Sequence, residues 1–206
     1  LTGTGPDSWS HDGTSAGIFD LSGNVWDWVS GLRVKDGEIQ VIPDNDSALG
    51  ADEGENSPLW RAIGTDGAFV APGTPGTYKY DGVNPGTGAT DIVNVPGGAK
   101  LNTSVTNPHY SGEDDALRAY TFMPFAELAA QPGVPVHVLL KELVLFPVSA
   151  DVGKGIFFLR NYGERVPARG GSWFDGPTAG FWDFYIREPR TFVYPDIGFR
   201  ASYVEL

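Results

Sequence analysis

The chain has 206 residues, a formal net charge of −12 and no cysteine. A chain of this length can bury a sizeable core without a metal or a disulfide, and the lack of cysteine excludes disulfides, thiolate nucleophiles and cysteine-based metal sites. The negative charge disfavours binding to nucleic-acid phosphates and to anionic membranes, and no apolar run in the sequence is long enough to span a bilayer.

The composition predicts a loop-rich fold around an aromatic core. The chain contains 28 glycines, 16 prolines and 6 tryptophans, which combines many turn formers with many large aromatic rings. A disordered chain would lack the aromatic residues. The first residues, LTGTGPDSWSHDGTS, resemble the interior of a protein, so we expect the chain to be the C-terminal part of a longer one.

The first organised segment covers residues 14 to 32, with the sequence TSAGIFDLSGNVWDWVSGL. Ser22-Gly23-Asn24 is a turn signal, and the apolar and aromatic residues after it predict a strand or a buried turn. Residues 33 to 43 predict a β-hairpin, because Asp36-Gly37 is a favoured two-residue turn between alternating apolar positions.

The middle of the chain carries weaker signals. Residues 44 to 115 are rich in Gly, Pro, Asn, Asp and Thr, which predicts a long, mostly irregular insert with a few short strands. Residues 116 to 130 look partly helical, and Pro124 predicts that a helix begins or kinks there. Apolar residues at helical spacing between 134 and 146 predict a helix that ends before Pro147. Residues 156 to 159 predict a short strand.

The pattern changes again at Arg169. Between 180 and 187, one set of alternate residues is Gly180, Trp182, Phe184 and Ile186, and the other is Phe181, Asp183, Tyr185 and Arg187. Strict alternation predicts a strand with the first set buried and the second set facing solvent. Residues 197 to 204 predict a final buried strand.

Three motifs in this order carry a resemblance to a known family: GIFDLSGNVWDWV at 17–29, ARGGSW at 168–173 and IGFRASY at 197–203. Together they resemble the formylglycine-generating-enzyme branch of the C-type lectin fold. The succession of VLLKELVLFPVS, GIFFLRNYGER, RGGSW, AGFW and a terminal GFR is similar to the variable proteins of diversity-generating retroelements. The resemblance covers residues 14 to 43 and 134 to 206, and it covers the insert poorly.

The resemblance implies an α+β, C-type-lectin-like fold with a small antiparallel sheet, one or two helices and extensive irregular loops. It implies a single domain over residues 1–206, with a loop-rich insert at 44–115 and a variable region at 169–200. In such systems an error-prone reverse transcriptase replaces adenines, mostly in asparagine codons, and the copy overwrites the 3′ end of the gene. Replacement of the two adenines of an AAY asparagine codon yields fifteen residue types but never Trp, Met, Gln, Lys or Glu.

The resemblance therefore implies a set of variable, ligand-binding positions, all of them residue types that adenine replacement permits. They are Ser172, Phe174, Asp175, Thr178, Phe181, Asp183, Tyr185, Arg187, Arg190, Phe192, Tyr194 and Asp196. Trp173, Trp182 and Glu188 are not permitted types and are assigned to the scaffold. Arg169-Gly170-Gly171 and Gly198-Phe199-Arg200 are expected to be structural, because glycine allows positive φ and the arginines can pack against carboxylates or carbonyls.

The variable set has the composition of a recognition surface. Rigid aromatic side chains give a large contact area at a low entropy cost, and arginines add directional polar contacts. The competing interpretation is that the aromatic residues belong to the core, and it applies equally well to Phe181 and Phe192 taken singly. For the variable set as a whole, recognition is favoured for two reasons. Charged residues are interleaved with the aromatic ones, and the other residues of the alternating pattern already supply a buried face.

The sequence weighs against catalysis and against a cofactor. Formylglycine-generating enzymes need active-site cysteines, and the related iron-dependent sulfoxide synthases need a set of histidines. Here His11, His109 and His137 lie far apart, and no GxSxG motif is present. Asp44-Asn45-Asp46 offers oxygen ligands for a structural calcium but lacks the spacing of an EF-hand, and the EPN, QPD and WND motifs of calcium-dependent lectins are absent.

We therefore expect a ligand-binding protein, not an enzyme, on a virion surface or at the surface of a cell, in a phage, virus or prokaryote. Its expected partner is a protein or a glycan on a target cell, without nucleic acid and without membrane insertion. Three alternatives remain open. They are a degenerate enzyme of the formylglycine-generating type, a calcium-dependent carbohydrate-binding lectin, and a structural virion module without a ligand.

Overall fold

The computed structural model describes residues 5–82, 98–108, 120–150 and 152–199. Within these residues the fold is mainly β, with fourteen short strands in two mixed sheets. The strands are β1 (Trp26–Trp28), β2 (Leu32–Lys35), β3 (Glu38–Val41), β4 (Arg61–Ile63), β5 (Phe69–Val70), β6 (Lys79–Asp81), β7 (Lys100–Asn102), β8 (Thr121–Pro124), β9 (Ala129–Ala130), β10 (Ile156–Leu159), β11 (Glu164–Arg165), β12 (Ala168–Arg169), β13 (Phe184–Ile186) and β14 (Ile197–Gly198). The α-helix described is α1 (Val138–Glu142), and 3₁₀ turns cover Asp7–Trp9, Pro43–Leu49, Phe125–Glu127 and Gly176–Thr178.

The smaller sheet contains six strands in the order β14-β1-β12-β13-β10-β8. β14 runs parallel to β1, and β13 runs parallel to β10, whereas the other neighbours are antiparallel. Strands from both ends of the described chain therefore lie side by side in this sheet.

The larger sheet contains eight strands, in the order β11-β2-β3-β6-β7-β9 with β4 also paired to β3 and β5 paired to β4. The hairpin of β2 and β3 lies at its centre, and the predicted turn is confirmed. Asp36 and Gly37 both have positive φ, 48° and 82°, as a type I′ turn requires. A Cβ at Gly37 would lie 2.5 Å from Cγ2 of Val105 and 3.0 Å from the carbonyl oxygen of Tyr80, so this site requires glycine.

The hydrophobic core joins residues of the two sheets in one cluster. Val34 and Leu101 come from the larger sheet, Phe157 and Phe184 come from the smaller one, and all four are fully buried. Tyr80 of β6 connects them, because its ring centroid lies 5.1 Å from that of Phe157 and 6.4 Å from that of Phe184. Burial of aromatic rings on this scale is a major source of stability.

The predicted fold class is wrong. We expected an α+β, C-type-lectin-like fold with a small antiparallel sheet and one or two helices, but the described residues form two large mixed sheets and little helix. The physical reason is the length of the strands, which have two to four residues each. Such short segments carry too few residues for alternation to be recognised, and most of them pair with strands that are distant in sequence.

Two helix predictions also need correction. Of residues 134 to 146 only Val138–Glu142 are helical, because the side chain of His137 caps the start, with its Nδ1 accepting from the N–H of Leu139 at 3.2 Å, and Val144 takes a positive φ of 56° after the end. No α-helix begins or kinks at Pro124, which instead ends β8 and precedes the 3₁₀ turn Phe125–Glu127. In that strand Thr121 and Met123 are buried and their neighbours are not, a period of two.

The segment predicted as a mostly irregular insert supplies β4, β5, β6 and β7 to the larger sheet. Residues 83–97 and 109–115 of that segment lie outside the described residues. Of the final strand predicted at 197 to 204, the structure describes β14 and Phe199, and the rest lies outside the described part of the chain.

Candidate functional site

Three aromatic side chains form a floor on one face of the six-stranded sheet. Trp26 of β1, Phe158 of β10 and Tyr185 of β13 have ring centroids 5.0, 5.1 and 5.9 Å apart. Phe184 and Ile186, the neighbours of Tyr185, are fully buried on the opposite face, as predicted, because successive side chains of a strand alternate between its faces. We call Trp26, Phe158 and Tyr185 the aromatic floor.

A cleft of about 430 Å³ opens at the aromatic floor. We call it the aromatic cleft, and it is lined by Trp26, Phe158, Ser172, Phe174, Asp175, Tyr185, Arg187, Glu188, Phe192, Tyr194, Asp196 and Ile197. Eight of these residues belong to the predicted variable set: Ser172, Phe174, Asp175, Tyr185, Arg187, Phe192, Tyr194 and Asp196. The fold thus gathers most of the predicted ligand-binding residues around one concavity.

Stacked pairs of rings flank the cleft. Phe174 stacks on Trp173 with 3.6 Å between ring centroids, and Phe192 stacks on Tyr194 at 5.8 Å. Phe174 is 61% exposed and Tyr194 is 51% exposed. Large apolar side chains that cluster at the surface in this way are typical of interaction sites.

Hydrogen bonds hold the loops that carry these rings. The Oδ2 atom of Asp175 accepts from the N–H and the hydroxyl of Ser172 at 2.7 and 2.8 Å, and the hydroxyl of Thr178 donates to the carbonyl of Asp175 at 2.7 Å. At the other end of the cleft, the N–H of Trp26 donates to the carbonyl of Asp196 at 2.7 Å. The walls of the cleft are therefore attached to the aromatic floor by ordered backbone.

A buried carboxylate lies at one edge of the cleft. Glu188 accepts from the hydroxyl of Tyr185 at 3.1 Å and forms ion pairs with Arg187 at 3.1 Å and Arg160 at 3.5 Å. The guanidinium of Arg187 also lies over the ring of Tyr120, 4.0 Å from its centroid. Burial, together with the charge of Glu188, raises the pKa of the Tyr185 hydroxyl well above its ordinary value, so this hydroxyl remains a hydrogen-bond donor at neutral pH.

Four predicted variable residues lie outside the cleft. Thr178 is exposed on the 3₁₀ turn. Phe181 is exposed and contacts Trp182 edge to face, with 5.4 Å between centroids, so the core interpretation does not hold for it. Asp183 and Arg190 have contacts of a different kind, which make both of them structural.

Asp183 is a correction, because it was predicted to face solvent and is only 1% exposed. Its Oδ2 accepts from the N–H of Gly180 at 2.8 Å and its Oδ1 accepts from the N–H of Ile156. Burial outweighs these hydrogen bonds and raises the pKa of Asp183 to about 6. The residue lies in a turn before β13, where the alternation of a strand does not apply. Ser172 and Asp196 of the variable set are also buried.

Arg190 joins three separate parts of the chain. Its Nε and Nη2 atoms donate to the two carboxylate oxygens of Glu164 at 2.7 and 2.9 Å, and Nη2 also donates to the carbonyl of Glu53 at 2.9 Å. On its other side Glu164 accepts from Arg33 of β2 at 2.8 Å. This bidentate geometry is typical of a structural ion pair. The sequence predicted a ligand-binding role for Arg190 and gave no indication of this ion pair.

The residues assigned to the scaffold divide into two groups. Glu188 is buried, and Trp182 is partly buried and stacks on Phe125 with 6.2 Å between centroids. Trp173, in contrast, is 59% exposed. The environments of Glu188 and Trp182 therefore agree with their assignment to the scaffold. Trp173 instead forms part of the exposed aromatic surface beside the cleft.

The ARGGSW motif has the structural features that we expected. Gly170 and Gly171 have φ of 90° and 71°, and a Cβ at Gly171 would lie 2.4 Å from Oδ2 of Asp183. The guanidinium of Arg169 lies 3.5 Å from the ring centroid of Phe184 and donates to the carbonyl of Val144, and burial lowers the pKa of Arg169 to about 10. Arg200 lies outside the described residues.

Sequence reasoning did not identify Trp26, Phe158 and Ile197 as lining residues of the cleft. The sequence predicts a strand or a buried turn around Trp26 and a short strand at Phe158, without a functional role for either residue. The signal available for Phe158 was its position between the buried residues Phe157 and Leu159, which assigns it to the opposite face of β10.

Neither of the two described histidines lines the cleft. Nδ1 of His11 accepts from the N–H of Ile18 at 2.8 Å, His137 caps α1, and His109 lies outside the described residues. In the described ranges, no group of three or more His, Cys, Asp or Glu side chains is arranged to hold a metal ion. Asp44 and Asn45 both take a positive φ of 60° at the start of a 3₁₀ turn.

A comparison of the sequence with protein-family models and with curated proteins finds no match. Among the residues that the structure describes, no helix combines the length and the apolar character needed to cross a membrane.

Proposed function

We propose that this chain is a ligand-recognition protein that displays exchangeable side chains on a constant backbone, in the manner of the variable proteins of diversity-generating retroelements. One observation carries the proposal: eight of the positions inferred to vary line a single cleft of about 430 Å³. Those positions were inferred from sequence motifs alone, and a scattered arrangement over the surface would have argued against a common ligand. The proposal rests on the motifs and on this cleft, and not on the fold class.

The proposed mechanism separates the constant parts of the site from the exchangeable ones. Trp26 and Phe158 of the aromatic floor lie outside the variable region. The segment around Trp26, which forms backbone hydrogen bonds with the walls of the cleft, also lies outside it. Phe174 and Tyr194 extend from this base into solvent. Because the backbone is ordered before binding, little conformational entropy is lost when a ligand enters.

We further propose that recognition takes place on a virion or cell surface and that the partner is a protein or a glycan of a target cell. Binding is proposed in preference to catalysis, because the full sequence has no cysteine and because the Nδ1 atoms of His11 and His137 accept structural backbone hydrogen bonds.

The DNA around the gene tests the proposal. We expect a near-copy of the 3′ end that differs from it only at adenines, next to a reverse transcriptase gene. In sibling isolates, substitutions should gather at the cleft positions such as Phe174, Tyr185 and Tyr194 and should leave Trp26, Trp182 and Glu188 unchanged. Substitutions spread evenly along the chain, without such a copy nearby, would contradict the proposal.

A further inference from the structure

The aromatic cleft combines many rings with free negative charge. Six aromatic residues contribute to its lining: Trp26, Phe158, Phe174, Tyr185, Phe192 and Tyr194. The face of an aromatic ring carries partial negative charge, so a cation within about 6 Å of the ring centroid is attracted to it. The cleft therefore offers several aromatic rings to a bound cation.

Among the carboxylates of the cleft lining, that of Asp196 is the main candidate for pairing with a cationic ligand. This residue is only 9% exposed, yet it lines the cleft. Its backbone carbonyl accepts from Trp26, but no described residue donates a hydrogen bond or pairs an opposite charge with its carboxylate. Buried carboxylates are normally paired, so a carboxylate that has no partner among the described residues and belongs to a residue of the cleft lining suits a cationic group or a hydrogen-bond donor on the ligand.

Asp175 adds a second carboxylate to the lining. In the described part of the chain its Oδ2 atom accepts both hydrogen bonds from Ser172, so Oδ1 keeps its acceptor capacity. Glu188 contributes less, since it is neutralised by Arg187 and Arg160.

The positive charge at the cleft is already engaged. Arg187, the cationic side chain in the lining, forms an ion pair with Glu188 and lies over the ring of Tyr120. An anionic ligand would therefore have to compete with Glu188 and would also meet Asp175 and Asp196. The net charge of −12 for the whole chain acts in the same direction, because it raises the local concentration of cations.

We propose that the aromatic cleft binds an organic cation, namely an alkylammonium group that enters among the rings and pairs with Asp196. The inference rests on the proposed recognition function and specifies the ligand chemistry of this particular chain. Two sources present an alkylammonium cation: a lysine side chain on a protein partner, whose ammonium also donates hydrogen bonds, and a free quaternary ammonium compound. Since Asp175 and Asp196 both belong to the predicted variable set, sibling chains with other residues there would prefer other ligands.

Calorimetric titration of the whole chain with three probes of similar shape tests the charge. The probes are choline, the neutral analogue 3,3-dimethylbutan-1-ol and the anion 3,3-dimethylbutanoate. We expect choline to bind at least about tenfold more tightly than the neutral analogue, which corresponds to about 1.4 kcal/mol, and the anion to bind most weakly. Equal binding of choline and the neutral analogue would overturn the cation inference and leave a general binding cleft, whereas tighter binding of the anion would assign Arg187 as the determinant.

A matched pair of variants localises the effect. Asp196→Asn removes the unpaired charge at constant size and should weaken choline binding about tenfold while leaving binding of the neutral analogue unchanged. Asp46→Asn removes the same charge from an exposed 3₁₀ turn away from the cleft and should change neither. An equal loss in both variants would show that only the net charge matters, and thermal unfolding would show that each variant is folded.

A fourth probe, Nα-acetyl-lysine methylamide, distinguishes the two sources. Tighter binding of this probe than of choline indicates a lysine on a protein partner, and the reverse indicates a free quaternary amine. If no probe binds at concentrations up to about 10 mM, where even affinities weaker than 1 mM would be detected, the cation inference fails. The proposed recognition function is judged separately, by the sequences of sibling isolates.

Discussion

Burial in the folded protein destabilises the charged form of Asp183. Its side chain is almost completely buried, and its two oxygens accept backbone hydrogen bonds from Gly180 and Ile156. Burial raises the pKa of the carboxyl to about 6, which these hydrogen bonds and the charge of Arg169 only partly counteract. At neutral pH the folded protein therefore holds a carboxylate that would be more stable in water.

The stability of the chain should depend on pH through this residue. Since the folded pKa lies above the value near 4 of an exposed aspartate, the folded chain holds a proton that the unfolded chain releases. The favourable contribution is complete below about pH 4 and is lost as the pH rises through about 6. Urea unfolding should show that wild type loses on the order of 2 kcal/mol relative to Asp183→Asn between about pH 4.5 and pH 7.5.

The Asp183→Asn reference is needed because other carboxylates act in the opposite direction. The pKa values of Glu38 and Glu164 are lowered, since their hydrogen bonds outweigh the effect of burial, and their contribution to stability is lost as the pH falls. A difference between wild type and Asp183→Asn that stays flat over this range would show that the pKa of Asp183 is not raised.

Phe184 and Phe174 allow a direct comparison of a core ring with a cleft ring. Phe184 is fully buried against Phe157, Phe125 and the guanidinium of Arg169, and Phe174 is mostly exposed. Phe184→Ala should lower the free energy of unfolding by about 3–5 kcal/mol, and Phe174→Ala should change it by about 0.5 kcal/mol or less. Chemical denaturation measures both, and similar losses would mean that Phe174 contributes to the folded core as Phe184 does.

At the scale of elements, Glu164 of β11 connects the larger sheet to the segment that leads to the cleft. Arg33 of β2 and Arg190 approach it from two sides. Arg33 is buried, and its guanidinium lies 4.4 Å from the ring centroid of Trp60. Both arginines thus share one carboxylate, which links the larger sheet to the segment predicted to vary.

Glu164→Gln tests this connection. The substitution leaves the buried guanidinium of Arg33 without its opposite charge, which for a buried pair costs about 3–5 kcal/mol. Glu127→Gln, at an exposed position of a 3₁₀ turn, is the control and should be nearly neutral. Thermal and chemical unfolding compare the two variants. Equal effects would show that Glu164 contributes no more than a surface charge.

Features that depend on neighbouring residues could be predicted from the sequence, and features that depend on residues distant in the chain could not. The hairpin at Asp36-Gly37 and the burial of Phe184 and Ile186 depend on neighbouring residues, and the sequence indicates both. The aromatic floor depends on the pairing of β10 with β13 and on the position of β1, which no local pattern reveals. The two sheets were missed for the same reason, since their strands are short and their partners are distant.

At the scale of the molecule, the core and the cleft lie on opposite faces of the six-stranded sheet. Phe157 and Phe184 pack towards the core cluster, whereas Phe158 and Tyr185 form the floor of the cleft. Substitutions at the rim of the cleft should therefore have little effect on the core, apart from those at buried positions such as Ser172 and Asp196.

A combined substitution tests this independence. Phe174→Ser, Thr178→Asn and Tyr194→Asn together replace three exposed residues with types that adenine replacement permits. Exposed substitutions usually change stability by about 0.5 kcal/mol or less each, so the melting temperature should stay within a few degrees of wild type. Differential scanning calorimetry measures it, and a broad or much lower transition would place these side chains in the folding core.

The attachment of the cleft to the rest of the sheet uses atoms that every amino acid except proline possesses. The N–H of Trp173 donates to Asn24 at 3.0 Å, the N–H of Gly23 to Gly170 at 2.7 Å, and the N–H of Trp26 to Asp196 at 2.7 Å. A mutational process that alters only side chains leaves all three intact. If this gene is rewritten at its 3′ end, most of the progeny proteins would still fold, and selection could then act on affinity alone.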